Sequence, residues 1–253
     1  MKGKLKRGRI ENMSIMMWEK DETVAILTMT NGANRQNLVF SDTLNAMLDE
    51  IIADKAVTAL IITSSDEKNF SQGIDVEWIL DKMQKKETQP VIDFIRGMGV
   101  VFKKLITYPV PVIAAINGHA FGNGSIMSCA CDFRFMRSDK GFFCFPEVNL
   151  GIAFRPGMNA FIKKAVPAYK LSEMQLTGNR YTAQELEEHH IIIKACADKE
   201  DLMTKSLAFA KTFKKNRGIF SELKKRLYKD IIEILEEPDE FASGGAFSLT
   251  VSE

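Results

Sequence analysis

The chain has 253 residues, of which 45% are hydrophobic, enough to bury the core of one substantial domain. Its 34 basic and 33 acidic side chains give a formal net charge of +1, so neither nucleic acid nor an anionic membrane is expected as the main partner. No apolar run reaches the roughly 18 residues of a membrane-spanning helix, and the basic start, MKGKLKRGR, is not followed by a hydrophobic segment. These features predict a soluble, cytoplasmic protein whose basic start is a solvated tail; a phosphate or nucleic-acid contact is the alternative for that start.

The first part of the chain alternates strand and helix patterns. Strands are predicted where apolar and β-branched residues alternate or run together, at residues 23–30, 57–63 and 112–116. Helices are predicted to begin at a cap formed by Ser41 or Asp42, at a cap formed by Asp75, and near Pro90, the last one ending before Pro109 and Pro111. Such alternation is typical of an α/β fold with crossover connections.

The later part of the chain is mostly helical. Thr182 and Glu185 have the spacing of a capping box and start one short helix. A brief strand is predicted at residues 191–195, followed by amphipathic helices at 198–216 and 219–237. The last residues, ASGGAFSLTVSE, read as a loose tail, with an added strand or docking on a partner as the alternative.

Cysteine and histidine spacing gives no sign of a metal or redox site. The four cysteines form no CxxC pair, and the three histidines lack an HExxH pattern. Small buried apolar residues are the better interpretation of the cysteines. No metal and no redox cofactor is therefore expected.

Two glycine-containing loops carry the strongest chemical signal. One spans residues 69–75 (NFSQGID) and the other spans 117–124 (NGHAFGNG), directly after the apolar strand 112–116 and before a predicted helix over 125–131. Backbone N–H groups at such turns and helix starts lack internal partners and favour negative charge. Two donors aimed at one oxygen would form an oxyanion hole. Each loop alone is also consistent with an ordinary strand-to-helix turn.

Three motifs in order, FSQGID, VPVIAAINGHAFGNGSIMSCACDFRFM and FPEVNLG, resemble the enoyl-CoA hydratase/isomerase (crotonase) superfamily, and the resemblance covers about residues 20–235. It implies an α/β fold of the crotonase ββα superhelix type. Residues 1–196 would form the spiral core, and residues 197–253 a C-terminal helical region and tail that mediates trimer formation. A homotrimer or a dimer of trimers is the implied assembly, and an acyl-CoA thioester the implied ligand, with CoA entering as part of the substrate.

The resemblance also implies site residues. The backbone N–H groups of Ile74 and Asn123 would form the oxyanion hole. Further substrate- or CoA-binding positions fall on Arg35, Ser71, Gly73, Asp75, Gly122 and Lys225. For several of these a plain structural role is the alternative: Asp75 as a helix cap, and Arg35 and Lys225 as solvated cations.

The acids decide which reaction is expected. Hydratases of the family use two glutamates, and their positions correspond here to Ile126 and Glu147. A single glutamate is similar to the Δ3,Δ2-enoyl-CoA isomerases, in which one base moves a proton from C2 to C4 in fatty-acid β-oxidation. Two alternatives stay open. One is a hydratase or other acyl-CoA reaction that uses Gln72, Asn123 or Arg155; the other is a non-catalytic acyl-CoA binder. Taken alone, Glu147 would read as a turn carboxylate.

Overall fold

The computed structural model of the chain describes residues 15–237, which form ten strands and ten α-helices. The predicted solvated tail at the basic start and the loose tail at the C-terminus lie outside these residues. None of the helices between residues 15 and 237 combines the length and the apolar character needed to traverse a bilayer.

The strands form two sheets. In chain order they are β1 (Met16–Asp21), β2 (Val24–Met29), β3 (Ala59–Ser64), β4 (Asn69–Ser71), β5 (Val112–Ile116), β6 (His119–Phe121), β7 (Phe133–Arg137), β8 (Phe143–Cys144), β9 (Arg180–Tyr181) and β10 (Lys194–Cys196). The larger sheet has the order β1-β2-β3-β5-β7-β10, and the smaller has the order β4-β6-β8-β9. The larger sheet is parallel except for β1, and the smaller is parallel except for β9.

The helices follow the strands. They are α1 (Leu38–Ala53), α2 (Val76–Gln84), α3 (Thr88–Thr107), α4 (Asn123–Ala130), α5 (Pro156–Ala165), α6 (Ala168–Thr177), α7 (Ala183–Glu188), α8 (Lys199–Ala210), α9 (Arg217–Leu227) and α10 (Lys229–Glu236). A 3₁₀ turn, Glu147–Leu150, follows β8. The chain passes three times from a strand of the larger sheet to a strand of the smaller sheet and then to a helix, through β3-β4-α2, β5-β6-α4 and, after the 3₁₀ turn, β7-β8-α5. This repeat is the ββα superhelix that the family resemblance implies.

Burial explains why these segments form strands and helices. Strands β3 and β5 are buried at every position, so both faces of the larger sheet are covered. One face packs against α1 and α3, while the other packs against α8 through Leu202 and Ala210. Helix α4 is buried along its whole length, and its small residues allow it to fit inside the spiral. The smaller sheet holds the segments that lead into α2 and α4, and therefore fixes where those helices begin.

Several predicted boundaries agree with the structure. The strand predicted at residues 112–116 is β5, Asp75 caps α2 by accepting a hydrogen bond from the N–H of Trp78 at 3.2 Å, and Thr182 and Glu185 form a complete capping box on α7. The four cysteines are buried and free, as their spacing predicts.

Other predicted boundaries are wrong. Helix α1 is capped by Asn37, whose side chain accepts from the N–H of Phe40 at 3.2 Å, so Ser41 and Asp42 lie inside the helix. Ile191 and Ile192 follow the end of α7 and are not in a strand. Their N–H groups instead donate to the carbonyl of Leu186, which lies within α7. Strand β10 begins only at residue 194.

The predicted C-terminal helices are shorter than expected. Helix α8 ends at residue 210 instead of 216, and the helix predicted over 219–237 is divided at Tyr228 into α9 and α10.

Strand β1 has no counterpart in the prediction, because half of its six residues are charged. The division of the chain at residue 196 and the trimer-forming role of the C-terminal region stay predictions.

A buried ion pair fixes α9 to the rest of the fold. The ammonium of Lys224 donates to a carboxylate oxygen of Asp132 at 2.7 Å and to the Leu105 carbonyl at 3.0 Å. Both charged side chains are nearly inaccessible, at 5% and 7% exposure. Burial lowers the pKa of Lys224, whereas the carboxylate of Asp132 opposes that change. One contact thus joins α9, the end of α3 and the turn before β7.

Candidate active site

The first loop presents the N–H of Ile74 without an internal partner. Ile74 pairs with Gln36 in an isolated parallel bridge, in which the Gln36 N–H donates to the Gly73 carbonyl at 2.8 Å and the Asp75 N–H donates to the Gln36 carbonyl at 2.9 Å. In such a bridge the polar groups of the central residue point away from the partner strand. Within residues 15–237, the Ile74 N–H donates no hydrogen bond.

The second loop presents the N–H of Asn123 in the same way. Gly122, at a φ of +52°, precedes the first residue of α4 and has no side chain that could cap the helix. Its own N–H donates to the Cys144 carbonyl at 3.1 Å, which ties the turn to β8. The Asn123 N–H finds no acceptor among the described residues, as is usual for the first turn of a helix without a side-chain cap.

Glycines bring the two loops into direct contact. A Cβ at Gly73 would lie 2.6 Å from the Phe121 carbonyl oxygen and 3.0 Å from the amide nitrogen of Asn123. A Cβ at Gly124 would lie 2.5 Å from the Ser71 carbonyl oxygen. Any other residue at these positions would push the loops apart. The two partnerless amides of Ile74 and Asn123 therefore belong to one small region, an arrangement that can stabilise a negatively charged oxygen.

Glu147 lies beside this region. It opens the 3₁₀ turn and is 6% exposed. A Cβ at Gly122 would lie 3.3 Å from its Oε1, so the carboxyl group approaches the turn that carries Asn123. Its Oε2 is buried without a hydrogen-bond partner in the described part of the chain.

The protonation of Glu147 follows from this environment. Burial raises the pKa of Glu147 from 4.5 to about 7, while a hydrogen bond from its own backbone N–H acts in the opposite direction. The neighbouring apolar residues are aromatic: Phe145 is fully buried and meets Phe143 and Phe154 edge to face, at centroid distances of 5.2 and 6.2 Å. A carboxyl group with a pKa near neutrality can both accept and return a proton.

That Ile126 corresponds to the other acid of the family's hydratases stays a prediction from the sequence resemblance. Ile126 lies in the first turns of α4 and is fully buried. Taking side chain and backbone together, Glu147 is the least exposed aspartate or glutamate among residues 15–237. No group of three or more metal-binding side chains occurs in the same range. The chemistry that this arrangement supports is proton transfer next to a stabilised oxyanion.

The other predicted binding residues lie in different surroundings. Ser71 is fully buried; its hydroxyl donates to the Asn34 carbonyl at 2.8 Å and accepts from the Gly73 N–H at 3.2 Å. Arg35 is half exposed and pairs with Glu77 at 3.1 Å. Lys225 is exposed on α9. Contacts of Arg35 and Lys225 with CoA phosphates stay predictions, as does a substrate contact for Ser71.

Gln36 in the site and two cations at the far end of α4 were missed from the sequence. Gln36 is fully buried between the loops, and its sequence neighbours, which are polar, give no sign of this burial. At the other end of α4, the ammonium of Lys164 donates to the carbonyls of Cys129 and Cys131 at 3.0 and 2.7 Å. Arg134 donates to the Cys131 carbonyl as well, at 3.0 Å. Cations at a helix C-terminus complement its dipole, so these hydrogen bonds stabilise the C-terminal end of α4.

Comparison with known proteins gives the same family for most of the chain. The family model for enoyl-CoA hydratase/isomerase matches residues 19–243. The chain is 26% identical over 224 residues to peroxisomal enoyl-CoA delta isomerase 2 of Arabidopsis thaliana, covering 86% of this chain and 93% of that protein. It is 30% identical over 211 residues to the short-chain-enoyl-CoA hydratase of Clostridium acetobutylicum, covering 82% and 78% of the two chains.

Solved structures agree on the fold. The apo structure of an enoyl-CoA isomerase from Mycobacterium tuberculosis matches with a TM-score of 0.81 at 21% identity, covering 92% of this chain and 99% of that one. The architecture is thus the crotonase fold, and the resemblance that the three sequence motifs suggest is confirmed. The chain belongs to the enoyl-CoA hydratase/isomerase family.

Proposed function

We propose that the protein is a Δ3,Δ2-enoyl-CoA isomerase that acts in fatty-acid β-oxidation. The carboxylate of Glu147 removes a proton from C2 of a 3-enoyl thioester, and the electron pair moves onto the thioester oxygen. The resulting dienolate is stabilised by the N–H groups of Ile74 and Asn123. Glu147 then returns the proton at C4, which leaves the double bond between C2 and C3.

One observation carries this proposal: the buried carboxyl group of Glu147, with a pKa of about 7, lies next to two backbone amides that have no hydrogen-bond partner among residues 15–237. Isomerisation needs one group that takes a proton and gives it back, and a pKa near the working pH serves both steps. Addition of water to a double bond needs a second group for the water. The fully buried Ile126 supplies none.

A hydratase is the second candidate, favoured by the 30% identity to the Clostridium acetobutylicum short-chain-enoyl-CoA hydratase. Gln72, Asn123 and Arg155 are the polar residues considered for the missing acid. The side chain of Gln72 is engaged with Asn69, and that of Asn123 with Gln36. Arg155 is half-buried, and burial lowers its pKa, but a guanidinium is a poor general base at neutral pH.

The test compares 3-enoyl-CoA with 2-enoyl-CoA thioesters on the purified chain and on Glu147→Ala. We expect isomerisation of the 3-enoyl substrate and a fall in kcat of about 10²–10⁴-fold in the variant, because the positioned base is lost. Binding of the acyl-CoA should be largely retained. Glu222→Ala, which removes an exposed glutamate on α9, is the control and should keep the wild-type rate.

Each rival reading has its own outcome. Wild-type kcat in Glu147→Ala shows that Glu147 is not the base and overturns the proposal. Hydration of 2-enoyl-CoA without isomerisation supports the hydratase. Binding of acyl-CoA without turnover of either substrate supports a non-catalytic binder, the third possibility that the sequence leaves open.

A further inference from the structure

Gln36 lies between the two loops of the active site and touches both. It sits on the segment between β2 and α1 and is fully buried. We propose that Gln36 is a positioning residue that fixes the two oxyanion amides relative to each other. This inference rests on the proposed function, since it assigns a role within the same site.

The backbone of Gln36 holds the first amide. Its N–H and carbonyl bond to Gly73 and Asp75 at 2.8 and 2.9 Å, on either side of Ile74. These two hydrogen bonds fix the peptide planes that flank Ile74 and so fix the direction of the Ile74 N–H. Any residue at position 36 other than proline can make this pair of bonds.

The side chain of Gln36 holds the second amide. Its Oε1 accepts a hydrogen bond from Nδ2 of Asn123 at 2.5 Å, across 87 positions of the chain. The Oδ1 of Asn123 is buried and has no partner among the described residues. Gln36 is thus the one hydrogen-bond partner that residues 15–237 provide for the Asn123 side chain, and it restrains the residue whose N–H forms the other half of the hole.

The side-chain nitrogen of Gln36 links the first loop to α4. Its Nε2 donates to the Ser71 hydroxyl at 3.3 Å and contacts the Met127 sulfur at 4.0 Å. The same Ser71 hydroxyl accepts from the Gly73 N–H at 3.2 Å. The first loop, Gln36 and the start of α4 therefore form one continuous buried network.

A network of this kind matters more to the transition state than to the bound substrate. Placement errors near 1 Å at a catalytic group can cost about 10²-fold in rate. The CoA portion of the ligand does not depend on the two amides, so loss of the network should lower kcat and leave KM nearly unchanged.

Three variants separate the parts of the network. Gln36→Met keeps the length of the side chain and the backbone bonds but removes the acceptor and the donor. Asn123→Ala keeps the backbone N–H and removes the same hydrogen bond from the other side. Gln36→Glu keeps an acceptor oxygen but adds negative charge next to the developing oxyanion. Asn45→Leu is the matched control, because Asn45 is a half-buried amide that donates to the Gly97 carbonyl in the α1–α3 contact.

For Gln36→Met we expect a fall in kcat of roughly 10–100-fold with KM changed less than about threefold. Gln36→Glu should lose more than Gln36→Met, because charge repulsion is added to misplacement. The double variant Gln36→Met with Asn123→Ala should be no slower than the slower single variant, since both remove one interaction. Asn45→Leu should lower the melting temperature without this loss of kcat.

A kcat for Gln36→Met within about twofold of wild type, a factor smaller than one broken hydrogen bond produces, overturns the inference. Additive effects in the double variant also overturn it. If Gln36→Met does not fold, Asn123→Ala decides, and an unchanged kcat in that variant counts against the proposal.

Exchange of the C2 proton with D₂O separates this inference from the proposed function. Exchange requires the base and the oxyanion hole but no shift of the double bond. If the wild-type protein exchanges the C2 proton but does not isomerise the substrate, the proposed isomerase function is refuted. Slower C2 exchange in Gln36→Met would then still support the positioning role. Isomerisation that survives Gln36→Met refutes the positioning role alone. A wild-type chain with neither activity refutes both.

Discussion

At the scale of single residues, the property that makes Glu147 useful also weakens the fold. Burial raises the pKa of Glu147 to about 7, and its Oε2 has no hydrogen-bond partner among residues 15–237. The folded protein therefore holds a proton that the unfolded chain, with a pKa near 4.5, has already released. Since the unfolded state binds fewer protons between these two values, stability falls as the pH rises from about 4.5 to about 7 and is level above that range.

The variant Glu147→Gln should remove this pH dependence. Ionisation of Glu147 in the folded state costs about 3 kcal/mol, from the difference between 4.5 and about 7. We expect the variant to match wild type near pH 4.5 and to be more stable by up to this amount at pH 8, measured by urea unfolding at both values.

As the pH rises, the stability of wild type falls, whereas its isomerase rate should increase through pH 7 because the carboxylate forms. If the difference in the free energy of unfolding between wild type and Glu147→Gln is the same at pH 5 and at pH 8, the carboxyl group is not buried as described.

At the scale of elements, the site depends on how closely two loops approach. Gly73 combines a φ of +78° with a contact that leaves no space for a Cβ, whereas Gly32 has a φ of +51° and open space around it. Substituting each of these two glycines therefore separates the effect of backbone strain from the effect of displacing the second loop.

We expect Gly32→Ala to lose about 1 kcal/mol of stability, the usual cost of positive φ in a residue with a side chain, with isomerase activity intact. Gly73→Ala should lose more stability and also most of its activity, because its Cβ would displace Phe121 and Asn123. Denaturant titration and initial rates on a 3-enoyl-CoA measure the two effects. Equal rates for the two variants would mean that the loop contact has no part in catalysis.

The same elements show what the sequence could and could not predict. Glycine spacing and apolar strands indicated both loops, and Asp75 was recognised as a helix cap because a cap depends on local sequence. Gln36 was missed since its partners Ser71 and Asn123 lie 35 and 87 positions away. Burial of a polar side chain by distant segments leaves no local pattern. The cap of α1 was misplaced for a simpler reason: Asn37, Ser41 and Asp42 are all residue types that favour the cap position, so local sequence does not choose among them.

At the scale of the whole molecule, a buried ion pair joins the C-terminal helix α9 to the rest of the fold. Lys224 and Asp132 form an ion pair that is nearly closed to solvent. Removal of one member of such a pair leaves the other charge buried without compensation.

Lys224→Ala should therefore destabilise the protein by about 3–5 kcal/mol. The neighbouring Lys225 is exposed on the same helix, so Lys225→Ala should change the stability by less than about 0.5 kcal/mol. Urea unfolding of the two variants and wild type gives both numbers. Similar stabilities for the two variants would contradict the burial of the pair.

The long reach of the Gln36 network also bears on folding kinetics. Loop closure over long separations delays contact formation relative to local helices and turns. The hydrogen bond between Gln36 and Asn123 spans 87 positions, and strands β3 to β6 lie between its two ends in the chain, so we expect it to form late. During refolding, catalytic activity should thus return with the slowest structural phase, after most helical signal has recovered, so that enzyme turnover reports complete assembly of the spiral.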